Sequence, residues 1–148
     1  MIGVVIVAGG LFFFKKVAIL RLENMDHPRA ILIWISPSES FSVFYIHSIY
    51  KEPVTEEFQA EKGAIVLKGV RTKSPAVMEY YGFEDMKEFH PMNRRLGAIC
   101  FKWRIGEGQG LIVRDKKIYL NEIGERGDRI QLRMEFVSLG RYLFGIME

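Results

Sequence analysis

The sequence contains a single cysteine, Cys100, and three histidines, His27, His47 and His90, among 148 residues. One thiol cannot close an intramolecular disulfide, and isolated histidines with no second ligand at metal spacing make no metal motif. No metal and no cofactor are therefore expected. Cys100 stands among Ala98, Ile99, Phe101 and Trp103, which predicts a small buried apolar residue. Charge of one sign is not concentrated either. The formal net charge is +3, and the basic residues are scattered among nearly as many acids, which argues against a nucleic-acid face. Missing too are sustained helical periodicity and the crossover helices of a parallel α/β fold. The glycines of residues 106–110 (GEGQG) precede a strand pattern rather than a helix, so they form no phosphate cradle.

Charge is also absent from residues 1–14, MIGVVIVAGGLFFF, which then meet Lys15 and Lys16. As a helix this run would be roughly 21 Å long, against a hydrocarbon core of about 30 Å. That length suits a short anchor, a signal-like segment, or the remainder of a longer anchor. No small-x-small cleavage pattern follows Phe14, which favours a retained anchor. The competing expectation is a buried first strand, since Val4, Val5, Ile6 and Val7 prefer extended backbone. The organisation read from this is an N-terminal hydrophobic segment over residues 1–16 and one β domain over residues 17–148.

What the domain does have is a succession of short apolar runs punctuated by turn residues. Strands are predicted at residues 17–22, 30–35, 41–50, 54–59, 64–70, 98–105, 111–114, 117–121 and 130–137. Residues 72–95, with their prolines, charges and aromatics, read as a long surface loop with one helical turn near residues 83–89. The fold class is mainly β: an antiparallel β-sandwich or barrel of about eight short strands.

One stretch carries candidate chemistry, residues 45–57, YIHSIYKEPVTEE. A loop at Lys51, Glu52 and Pro53 would set Ser48 opposite Glu56 and His47 opposite Glu57 on opposite faces. Adjacent strand residues diverge, so His47 cannot readily activate Ser48 as a nucleophile. Candidate binding residues are His47, Ser48, Pro53, Glu56, Tyr80 and Tyr81; no catalytic residue is assigned. Tyr80, Tyr81 and Phe83 are expected to pack over one end of the fold, with stacking on a ligand as the alternative.

The same hairpin carries a resemblance. Tyr45, His47, Ser48, Ile49, Pro53, Val54, Glu56 and Phe58 follow the pattern aromatic-x-His-Ser-hydrophobic-x-x-x-Pro-Val-x-Glu-x-Phe. This is similar to the domain of unknown function 1850 family, small proteins often encoded beside, or fused to, tripartite ATP-independent periplasmic (TRAP) transporters of the TAXI type. The chain departs from that pattern at residues 74–78, Ser-Pro-Ala-Val-Met, where a serine and a glycine-rich stretch are expected. Any pocket formed there would have a different shape.

The resemblance implies a membrane location, a β domain outside the cytoplasm, and a non-enzymatic accessory role with the transporter's membrane subunit or substrate-binding protein as partner. Two alternatives stand beside it. One is a small hydrolase using His47 with Glu56 or Glu57, and the other a soluble small-ligand-binding β-barrel in which residues 1–14 are the first strand.

Overall fold

The computed structural model describes residues 13–103 and 108–145. In chain order the elements are β1 (Lys16–Asn24), β2 (Ala30–Trp34), β3 (Ser40–Ile46), β4 (Pro53–Glu61), β5 (Ala64–Arg71), α1 (Pro75–Tyr80), β6 (Phe89–Leu96), β7 (Ala98–Lys102), β8 (Gly110–Val113), β9 (Lys116–Tyr119), β10 (Arg129–Ser138) and α2 (Leu139–Gly145). Among the described residues, ten antiparallel strands form two sheets, ordered β2-β1-β10-β7 and β6-β5-β4-β3-β8-β9. Neither sheet closes on itself, so the barrel expectation gives way to two open sheets.

Alternation turns one face of β1 and of β10 to the core, while β5 is buried on both faces. On β1, Ala18, Leu20 and Leu22 are buried, and on β10 so are Ile130, Leu132 and Met134. They meet Phe41, Val43, Phe58, Ile65, Leu111 and Val113 of the six-stranded sheet in one shared apolar core. Of the intervening positions Ile19 is also buried, whereas Arg21 and Arg133 carry charge. Arg21 lies opposite Arg133, a pairing that would repel, and both guanidiniums share the same two carboxylates. Arg21 contacts Glu23 at 2.8 Å and Glu135 at 3.6 Å; Arg133 contacts them at 3.5 and 3.8 Å.

Several sequence expectations are corrected here. The third strand ends at Ile46 rather than Tyr50, because residues 47–50 turn. The expected loop over residues 72–95 contains α1 and a complete strand, β6. Ser74 caps α1, its Oγ accepting from the Val77 N–H at 3.4 Å, and Pro75 occupies the first helical turn, where its missing N–H costs nothing. β6 tolerates Pro91 because it is the outermost strand of its sheet. Cys100 is exposed, on the edge strand β7, not buried.

The proposed anchor, residues 1–14, lies outside the described residues except for Phe13 and Phe14, which are helical and exposed. Among the described residues no helix is long and apolar enough to cross a membrane.

Candidate functional site

The β3–β4 hairpin is built differently from the register expected of it. Ile46 pairs with Pro53, Val43 with Glu56 and Ser42 with Glu57. His47 closes the connection: its N–H donates to the Glu52 carbonyl and its carbonyl accepts from the Lys51 N–H, both at 2.8 Å. Lys51 supports the tight return with a left-handed backbone, φ 59°. Ser48 therefore does not face Glu56, and His47 does not face Glu57. Glu57 points to the outer face and pairs with Arg71 at 2.9 Å.

Cross-strand partners share a face, so the registers define one row across four strands: Val43, Glu56, Val70 and His90. Val43 and Val70 are buried, which puts Glu56 and His90 on the inward side of the six-stranded sheet. Two phenols meet Glu56 there. Tyr45 comes from β3 and Tyr81 from the residue after α1; both donate to Glu56 Oε1, at 3.0 and 3.2 Å, and their oxygens lie 2.5 Å apart. Two hydroxyl protons thus serve three oxygen–oxygen contacts. Burial is the main cause that raises both phenol pKa values, with the neighbouring Glu56 charge adding to it; Tyr81 is pushed up to about 12 and Tyr45 further.

α1 brings its aromatics over this end. A second, smaller apolar cluster forms from Val54, Val70 and Val77, with Tyr45, Tyr81, Phe83 and Met92 packed against it. Rings then run in sequence across the surface. His47 lies 5.3 Å from Tyr50, stacked, and 4.7 Å from Tyr80, edge-on. Tyr80 meets Tyr81 at 5.7 Å, Tyr81 stacks with Phe83 at 5.6 Å, and Phe83 stacks with His90 at 3.8 Å. Such ring pairs add specific geometry to the burial they provide.

The six sequence candidates separate. His47 is buried, and its Nδ1 accepts from the Tyr50 N–H at a long 3.4 Å. Glu56 and Tyr81 are joined by a hydrogen bond, and Tyr80 covers His47. Ser48 is exposed in the turn, and Pro53 begins β4, its carbonyl accepting from Thr72 Oγ1 at 3.1 Å. Sequence reasoning missed Tyr45, Tyr50 and His90 as members of the cluster. Tyr45 was readable, since it alternates inward with Phe41 and Val43; His90 was hidden by the misread β6.

Glu56 is tied to two hydroxyls, and no hydrogen bond among the described residues joins His47 to Ser48, Glu56 or Glu57. His90 Nδ1 lies 3.5 Å from Asp85, while its buried Nε2 has no hydrogen-bond partner among the described residues. No group of three or more metal-ligating side chains occurs among the described residues. Two concavities, of about 730 and 650 Å³, lie elsewhere; one includes Asn24, His27 and Arg141, the other Trp34, Arg114 and Tyr142. What the aromatic end does offer to solvent is Ile49, Tyr80 and Tyr50, respectively 62%, 58% and 40% exposed.

Compared with known proteins, the chain matches no family model, no curated protein and no solved structure.

Proposed function

We propose that the protein is a non-enzymatic, membrane-anchored β domain lying outside the cytoplasm. It assists a TRAP transporter of the TAXI type by docking its aromatic end on the transporter's membrane subunit or substrate-binding protein. The observation that carries this reading is the exposed trio Ile49, Tyr50 and Tyr80 around buried His47. Amphipathic tyrosines held by neighbouring rings lose little side-chain freedom on docking, and such residues dominate the energetics of protein interfaces.

The hairpin from Tyr45 to Phe58 supports the transporter assignment by its resemblance, and the uncharged run of residues 1–14 supports the anchor. A recognition role also fits His47, which makes no hydrogen bond with Ser48, Glu56 or Glu57 among the described residues. The two open sheets read as a sandwich whose helix-capped end is the docking surface.

The test is co-purification of the full chain with each co-expressed transporter component. Ile49→Asp and Tyr80→Ser alter exposed positions, so the fold is expected to survive, with capture reduced at least tenfold in the double variant. Undiminished capture by a folded double variant, or no capture of either component by the wild type, would overturn the reading.

A further inference from the structure

The end of the apolar N-terminal run and the C-terminal helix meet on the other flank of the molecule. The Leu139 N–H donates to the Lys15 carbonyl at 2.8 Å, pinning the start of α2 to the point where the apolar run ends. Gly140 sits against Phe13; a Cβ there would lie 3.2 Å from the Phe13 ring and 3.5 Å from its carbonyl oxygen. From this junction four large apolar side chains stand out into solvent: Phe14 is 79% exposed, Phe144 67%, and Phe13 and Leu143 each 45%. Lys15, Lys16 and Arg141 are exposed beside them, and neither residues 13–16 nor α2 contains an acid.

From these contacts we infer that α2 is a second bilayer contact, lying flat in the headgroup region of an anionic membrane beside the N-terminal anchor. This rests on the membrane-anchored reading given above and adds a lipid class and an orientation to it. With seven residues, α2 is roughly 10 Å long and cannot span a bilayer. It has the composition of an interfacial element instead, with aromatics and leucine for the acyl boundary and cations for phosphate.

The uncharged residues 1–12 lead directly into this patch, so a chain anchored by them holds Phe13 and Phe14 at the membrane surface, and α2 with them. A second copy is the poorer occupant. A self-complementary interface would bring Lys15, Lys16 and Arg141 toward their own images.

The experiment uses the full chain carrying Cys100→Ser and a single reporter cysteine, Phe144→Cys or, as the control, Met86→Cys. Met86 is 70% exposed, beyond α1. Each cysteine carries an environment-sensitive fluorophore, and the chain is mixed with phosphatidylcholine vesicles with or without phosphatidylglycerol and a lipid-borne quencher. The expected result is quenching at position 144 several-fold above that at position 86, stronger with phosphatidylglycerol and weakened by Lys15→Glu with Lys16→Glu. If the chain floats with vesicles while both positions are quenched alike, the anchor stands and the second contact falls. If the chain does not float, both fall. A position-144 label shielded without lipid, together with a doubled mass, would make the patch a self-association surface and overturn the inference.

Discussion

Alkaline pH should unfold this domain through Tyr45 and Tyr81. Both phenols are held protonated in the fold above the ordinary value of about 10, Tyr81 up to about 12 and Tyr45 beyond it. As pH rises past 10 the unfolded chain releases protons that the native state keeps, so stability is complete below that value and falls above it. Each phenol contributes a slope of up to about 1.4 kcal/mol per pH unit. Solvent screening of part-exposed Tyr81 trims its share to about 1, giving about 2 kcal/mol per unit for the pair.

Against a typical total of 5–15 kcal/mol, that slope makes the loss plain within two units. Urea unfolding of the full chain in mild detergent, followed by the fluorescence of Trp34 and Trp103 at a series of pH values, measures it. Tyr81→Phe removes one hydrogen bond to the Glu56 carboxyl and should cost about 1–2 kcal/mol at neutral pH. The same change removes one ionisable group, so the variant's shallower alkaline slope should bring the two stabilities together near pH 12. Equal slopes for wild type and variant would refute the argument, as would near-ultraviolet absorbance showing all 6 tyrosines ionising together near the ordinary value.

Other substitutions test the packing. At Gly110 a Cβ would stand 2.2 Å from the Ile118 carbonyl oxygen, a backbone atom that cannot turn aside; Gly110→Ala should cost about 3 kcal/mol in urea unfolding and loosen β8 from β9. Buried Asn24 donates to Asp128 at 2.7 Å and Ile123 at 3.1 Å, and accepts from the Asp26 and His27 N–H groups at 2.8 and 3.1 Å. Asn24→Ala strands these partners and should cost about 2–3 kcal/mol, whereas Asn24→Asp would set a second carboxylate against Asp128 and should gain nothing over alanine. Because Cys100 is exposed on β7, a thiol reagent should modify it in the native state at nearly the rate seen in urea; strong protection would return it to the interior.

Nine strands were legible because their apolar residues alternate between turn signals, as Ala18, Leu20 and Leu22 do in β1. β6 was not, because at an edge the rules relax: Pro91 and the exposed Arg94 and Arg95 read as loop, yet only one side of that strand must pair. The capping serine and the proline of α1 were visible in sequence, but six residues carry too little periodicity to declare a helix. The hairpin residues were found and their register was not. A strand extended through Tyr50 shifts every partner, and nothing local announced that Lys51 would adopt a positive φ.

The division of the interior into a large core and a small cluster under α1 has a consequence for how the molecule breathes. Val77 and Tyr81 can lift away from Val54 and Val70 without uncovering Phe58, Leu20 or Leu132, so the α1 end forms an opening unit of its own. Amide hydrogens of residues 75–83 then exchange with solvent at a lower free energy than those of β1 and β10, whose opening requires the whole domain. The aromatic end proposed to meet a partner can thus open as a unit at small cost while the two sheets stay shut.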